Sequence, residues 1–179
     1  MRGFAPPWFV AGGWAVDLYL GRLTREHADV EVAIFREDQR AAQRHFEGWR
    51  LLKVSDGALS EWRAGERLEL PVHEVHCLGG PADLPRLELL LNERRGDLWA
   101  FRRNEIVTRP LAMCYMTSAA GVRVLAPEIV LLYKSRNAGA KDEQDFDALA
   151  PRLDEERRAW LRAAVAACEG GSHPWLGRL

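Results

Sequence analysis

Cysteine is scarce in this sequence, with only three residues, Cys77, Cys114 and Cys168. They are too few and too widely spaced for a disulfide framework, and they lack the paired spacing of a structural zinc site. Each is expected to be a buried small hydrophobe in a reducing compartment. Long apolar runs are missing too. No stretch approaches the roughly 20 residues that span a bilayer, and Gly12-Gly13 and Asp17 interrupt the early apolar patch before a signal-peptide pattern develops. A cytoplasmic location is the expectation. Charge of one sign is also lacking: a formal net charge of -1 argues against a broad, non-specific nucleic-acid surface, which needs clustered cations. A small local pocket for a nucleotide is not excluded.

What is present is the mix of an ordinary globular protein, 47% hydrophobic and 28% charged. A chain of 179 residues buries roughly 70% of its unfolded surface, enough to fold without staples. Trp8 to Val10 reads as a short strand ending at Gly12-Gly13, and Trp14 to Leu20 as a helix stopped by Gly21. Residues 28 to 35 switch to a period of two, placing Val30, Val32 and Ile34 on one face and Asp29 and Glu31 on the other. A helix is expected over Glu37 to Trp49, and a hairpin around Gly65-Glu66 within Glu61 to Leu70. Val72 to Leu78 and Leu87 to Leu91 are strand candidates, although leucines alone do not separate the second from buried helix. Asn92 to Asp97 is expected to turn the chain, with Trp99 to Arg103 extending the sheet.

Beyond Gly121 the character changes. A short Val122 to Leu125 run precedes Pro127, which suits the first position of a helix through Lys134, and helices are expected over Asp142 to Leu149 and Glu155 to Cys168. The fold class expected is α+β: a mixed sheet with flanking helices over residues 1–121 and a C-terminal helical portion over 122–179 that completes a cleft.

The glycine pair is the first chemical signal. Between strand and helix it lets backbone approach a ligand, and the helix N-terminus beyond favours an anion. Alone it is equally a tight turn, and it is neither a Walker A loop nor GxGxxG. Asp29 and Glu31, two apart on a strand, hold oxygens near one point, as a hard divalent cation requires; a solvated polar face has the same pattern. Glu88, set among Leu87, Leu89, Leu90 and Leu91, is costly to bury unless paired or metal-bound, though alternation also allows it to point outward.

In order, Gly12-Gly13-Trp14-Ala15-Val16-Asp17, Leu20-Gly21-Arg22, Thr24-Arg25-Glu26-His27 and Asp29-Val30-Glu31-Val32 resemble the N-terminal signature of small-molecule nucleotidyltransferases. The resemblance is to aminoglycoside 2''-adenylyltransferases and lincosamide nucleotidyltransferases. Ala126 to Lys134, Lys141 to Phe146 and His173-Pro174-Trp175 resemble their C-terminal portion. It implies a nucleotidyltransferase-like fold and transfer of a nucleoside monophosphate, AMP foremost, from ATP or another nucleoside triphosphate to a hydroxyl of a small molecule, an aminoglycoside or lincosamide among them. It implies Mg²⁺ held by Asp29 and Glu31, Glu88 as the base, Gly12 and Gly13 beside the triphosphate, and a link to antibiotic resistance. Glu31 stands where the family pattern has aspartate, one methylene longer. The competing readings are a non-catalytic nucleotide- or small-molecule-binding protein on the same fold and a toxin–antitoxin component.

Arg22 and Arg25 precede the acidic strand, where each is equally a phosphate contact or a surface ion pair. Lys134 shares a helix face with Val130 and Leu131, so its stem packs while its ammonium reaches the cleft edge, as a triphosphate contact or as ordinary snorkelling. His27 reads as a local hydrogen-bonding residue, and Trp160 and Trp175 as packing residues.

Overall fold

The computed structural model describes residues 1–84 and 86–179. The first half runs β1 (Trp8–Val10), α1 (Gly12–Leu20), β2 (Glu31–Phe35), α2 (Gln39–His45), β3 (Arg50–Ser55), β4 (Ala58–Glu61) and β5 (Glu74–Leu78). The second runs β6 (Arg86–Arg95), β7 (Leu98–Phe101), β8 (Asn104–Pro110), β9 (Tyr115–Thr117), β10 (Arg123–Leu125), α3 (Pro127–Ser135), α4 (Ala140–Leu149) and α5 (Glu155–Glu169). The α+β class follows: one mixed sheet in the order β4-β3-β5-β6-β2-β1-β10-β9, with β7 and β8 continuing from the far half of β6.

Strand alternation builds two cores from this one sheet. Val32 and Ile34 of β2 point to the layer holding α2, where they meet Ala42, Phe46, Val75 and Leu89. Ala33 and Phe35 point the other way, toward a larger core made with α3, α4 and α5, including Ile129, Phe146 and Leu161. Trp175 is fully buried there, stacked on Phe146 with ring centroids 4.3 Å apart, and Trp160 donates to the Thr108 carbonyl at 3.0 Å, so both tryptophans pack. Cys77 and Cys114 are buried, and burial pushes both thiols up to about 12; Cys168 is half-buried and equally unpaired. No helix among the described residues is long and apolar enough to cross a membrane.

Local signals explain where the elements stop. Gly21 ends α1 in the left-handed region at φ 67°, its N–H donating to the Asp17 carbonyl, and Pro127 opens α3. The helix expected over Glu37 to Trp49 is shorter, because Gly48 at φ 87° turns the chain after His45. The hairpin expected at Gly65-Glu66 lies instead at Asp56-Gly57, which joins β3 to β4 with both residues at positive φ, as a two-residue type I′ turn requires. Asn92 does not turn the chain: β6 continues to Arg95, since Glu93 to Arg95 pair with Leu98 to Ala100, and Gly96-Asp97 makes the turn.

A buried ion pair fastens α3 to the sheet. Arg109 of β8 donates to Glu128 at 3.0 Å, and the Glu128 side chain has no exposed surface. Burial pushes the Glu128 carboxyl up, with Arg157 and Arg109 opposing it. Removing Glu128 leaves the buried Arg109 to the largely exposed Glu156 at 3.2 Å, a poorer partner. Glu128→Ala is expected to cost about 3–5 kcal/mol, and a Glu128→Leu/Arg109→Met pair to recover most of that loss. Urea denaturation of the three proteins checks both.

Candidate functional site

The site is assembled at the end of the sheet where β1 stops and β2 starts. Ala11 N–H donates to the Glu31 carbonyl at 2.9 Å, and Gly12, at φ 57°, starts α1 directly above the Glu31 carboxylate. A methyl group at Gly12 would overlap that carboxylate, and one at Gly13 would overlap the His27 imidazole and crowd the Arg25 guanidinium. The two glycines are therefore the first residues of the helix rather than a separate turn. Their missing side chains make room for an acid, a histidine and an arginine.

The loop from Arg22 to Val30 is locked by α1 and α4. Asp17, on the first of these, accepts from the Thr24 backbone N–H at 2.9 Å and hydroxyl at 2.5 Å, and lies 2.5 Å from His27 Nε2. Burial works to raise the Asp17 pKa, but the Thr24 and His27 hydrogen bonds prevail and hold it below the ordinary value. Arg25 grips Asp145 with Nε at 3.1 Å and Nη2 at 3.0 Å, a bidentate pair with a carboxylate that has no exposed surface. His27 thus makes a local hydrogen bond, and Arg25 makes an internal ion pair. Arg22 is exposed, and its N–H donates to the Asp17 carbonyl at 3.2 Å.

Asp29 lies in this loop, just before β2, and Glu31 opens the strand. Parallel pairing places Glu31 directly beside Glu88 of β6, and antiparallel pairing places Glu88 beside His76 of β5, so all three share one face. Glu31 is pushed up to about 7, by burial first and then by repulsion from Asp29, with Lys134 opposing and Glu88 adding to the repulsion. Burial and Asp29 also raise Glu88, against attraction from His76 and Arg86. The structure therefore brings Asp29, Glu31 and Glu88 within electrostatic reach of one another.

Two partners of these acids escaped sequence reasoning. Arg86 lies 2.9 Å from Glu88 and 3.7 Å from Asp29. His76 lies 2.8 Å from Glu74 and 3.6 Å from Glu88, and the ligand atoms of Glu74, His76 and Glu88 fall within 4.8 Å of one another. The signal for this cluster was the alternation Glu74-Val75-His76-Cys77, which buries Val75 and Cys77 and turns Glu74 and His76 to the site face.

Lys134 completes the boundary. Its ammonium meets Asp145 at 2.9 Å and Asp142 at 3.1 Å. Burial works against its charge, yet these two carboxylates hold its pKa above the ordinary value. Gly12, Glu31, Lys134 and Asp142 line one part of a cleft of about 310 Å³ that continues along the sheet. That size suits a small-molecule ligand.

Residues 1–58 match the aminoglycoside-2''-adenylyltransferase family model. No curated protein sequence matches the chain. Among solved structures, antibiotic-resistance factor ANT(2'')-Ia is similar in its solution structure, with a TM-score of 0.59, 19% identity and coverage of 90% of this chain and 82% of that one. Its crystal structure in complex with adenylyl-2''-tobramycin matches at the same TM-score and identity, covering 90% and 87%. The lincomycin-bound lincosamide antibiotic adenylyltransferase LnuA matches at a TM-score of 0.56 and 15% identity, covering 82% and 87%. The chain has the nucleotidyltransferase fold, and it resembles these two enzymes along most of its length.

Glu31 generates a pH prediction. Its folded pKa stands near 7 against an ordinary 4.5, so between those values the native state binds more protons than the unfolded chain and loses stability as pH rises. Glu31→Gln removes that penalty. Without divalent cations the variant is expected to exceed wild type by on the order of 2 kcal/mol at about pH 8 and to match it near pH 4. Urea denaturation in EDTA measures both; a variant less stable than wild type at the higher pH contradicts the burial of this charge.

Proposed function

We propose that this cleft transfers a nucleoside monophosphate from a nucleoside triphosphate, ATP foremost, to a hydroxyl of a small molecule. The observation that supports it best is the half-buried Glu31 carboxylate beneath Gly12, set beside Glu88 and Asp29 and, among the described residues, in no ion pair. Mutual repulsion and desolvation raise Glu31, the condition a divalent cation relieves. The donor set is hard oxygen, which fits Mg²⁺. Asp29 and Glu31 would hold it, and when bound it would neutralise charge on the phosphates. The neighbouring cluster with His76 fits a hard ion less well, since Nε2 is already engaged by Glu74.

The chain's own groups divide the remaining work. The N-terminus of α1 presents its free N–H groups to an anion, and Gly12 allows close approach. Lys134 supplies positive charge at the same edge, fixed in place by Asp142 and Asp145. Glu88, its pKa raised, takes the proton of the acceptor hydroxyl. The oxygen forms its bond to the α-phosphorus as the bond to the bridging oxygen breaks and pyrophosphate departs. Binding without transfer is the second reading, favoured by Arg86, whose guanidinium already neutralises Glu88 and Asp29. Aminoglycosides and lincosamides are the acceptor classes carried over from the resemblance.

Time-resolved nucleotide transfer separates the two readings. Glu31→Ala is expected to lose about 10²–10³ in turnover while staying folded by circular dichroism, because Val32 and Ile34 carry the packing. Glu31→Asp keeps the charge and is expected to lose less. Full activity in folded Glu31→Ala refutes the ligand role, and inactivity of wild type across acceptors with magnesium and manganese favours binding alone.

A further inference from the structure

The cleft has a second end that the transfer chemistry leaves unused. From Glu31 it runs along the sheet past Leu90 and Asn92 to the β7–β8 turn and the end of α3, where Arg102, Arg103 and Arg136 line it. Three other guanidiniums with little exposed surface are paired with acids: Arg25 with Asp145 at 3.0 Å, Arg36 with Glu93 at 2.7 Å and Arg109 with Glu128 at 3.0 Å. Among the described residues, none of the three cleft arginines forms an ion pair. Arg102 rests 5.5 Å over the Tyr133 ring, and Arg103 lies 5.8 Å over the same ring and donates to the Tyr133 carbonyl at 3.1 Å. The ring is fixed in turn, its hydroxyl donating at 3.0 Å to Asn92 Oδ1, which also accepts from Trp99.

Burial pulls the Arg102 pKa below the ordinary arginine value, and Arg103 adds repulsion. Glu74, the acid that attracts Arg102, is itself engaged by His76 at 2.8 Å. A half-buried guanidinium without a carboxylate costs free energy that an arriving anion recovers. Its planar fork suits a carboxylate or phosphate. Lys134, not this group, is the cation that acts most strongly on Glu31, so the phosphate edge and the arginine end are separate parts of one cleft.

We infer that the acceptor is an anionic hydroxylated small molecule whose carboxylate or phosphate binds Arg102, flanked by Arg103 and Arg136, while its hydroxyl meets Glu88. This deepens the transfer reading and rests on it. Glu88, Leu90 and Asn92 share one face of β6, so the acids and the arginine end lie along the same strand. A polycation such as tobramycin would bring ammonium groups against the same guanidiniums, a like-charge contact that discriminates against it.

Pyrophosphate release with ATP and magnesium is measured against sugar phosphates, against hydroxy acids such as gluconate, and against tobramycin. Turnover is expected with one of the anionic sets, which identifies the anion, and not with tobramycin. Arg102→Gln is expected to raise the acceptor KM roughly tenfold while the KM for ATP changes less than about twofold. Arg136→Gln, on an exposed side chain, serves as the second variant. Equal use of tobramycin by wild type and Arg102→Gln overturns the inference, as does a rise in the KM for ATP in place of the acceptor KM. Calorimetry with inorganic phosphate and gluconate separates this from failure of the transfer reading. Binding by wild type that is lost in Arg102→Gln, with no pyrophosphate release from any acceptor, removes the transfer and upholds anion recognition. No binding of either anion by wild type removes the recognition.

Discussion

The site depends on how closely the backbone of α1 lies over the Glu31 carboxylate. Glycine at position 12 permits it twice over, by accepting φ 57° and by leaving the space a Cβ would take. Gly13 does the same for His27 and Arg25. Once the helix is seated this low, Asp17 reaches Thr24 and His27, and the loop carrying Asp29 has little freedom left. The position of the acids is thus set from above by a helix and from the side by strand pairing, and neither alone would suffice.

Electrostatics around the site follows a division of labour. The acids that stabilise structure are given cations: Asp145 holds Arg25 and Lys134, and Glu128 holds Arg109. Glu31 forms no ion pair among the described residues, and burial, with repulsion from Asp29, raises its proton affinity. At the opposite end Arg102, Arg103 and Arg136 form no ion pair among the described residues. Opposite signs left without ion pairs at the two ends of one cleft give it the electrostatic layout of a binding site. Arg86 moderates the acidic end from a side chain that is 42% exposed, so it screens Glu88 and Asp29 without closing the site.

Much of this was legible in the sequence, for identifiable reasons. The alternation through Asp29, Val30, Glu31 and Val32 is local, and it correctly assigned Val32 to the core and Glu31 to the opposite face. The α+β class and the stops at Gly21 and Pro127 follow from equally local chemistry. What was not legible is long-range. The pairing of Glu31 with Glu88, and of Glu88 with His76, depends on a register between strands far apart in the chain. Arg102 and Arg136 face one cleft only after the β7–β8 hairpin folds over the sheet. The hairpin has a different cause: Asp56-Gly57 carries the stronger turn signal, and its two positive φ values join β3 to β4. Asparagine favours turns, which is why Asn92 suggests one, whereas here its amide oxygen accepts from Trp99 and Tyr133.

The order of strands has a consequence for how such a protein is made. β1 sits mid-sheet, between β2 and β10, where Val10 pairs in parallel with Val124. During vectorial synthesis the first strand emerges early yet finds its second neighbour only after some two-thirds of the chain has left the ribosome. Glu31 likewise waits for β6 before Glu88 lies beside it. Residues 1–58, which match the family model, thus contain strands whose sheet partners β6 and β10 come later in the chain. Their exposed strand edges would need shielding until the later strands arrive, and the nascent chain rather than the finished fold is the stage most open to misassembly.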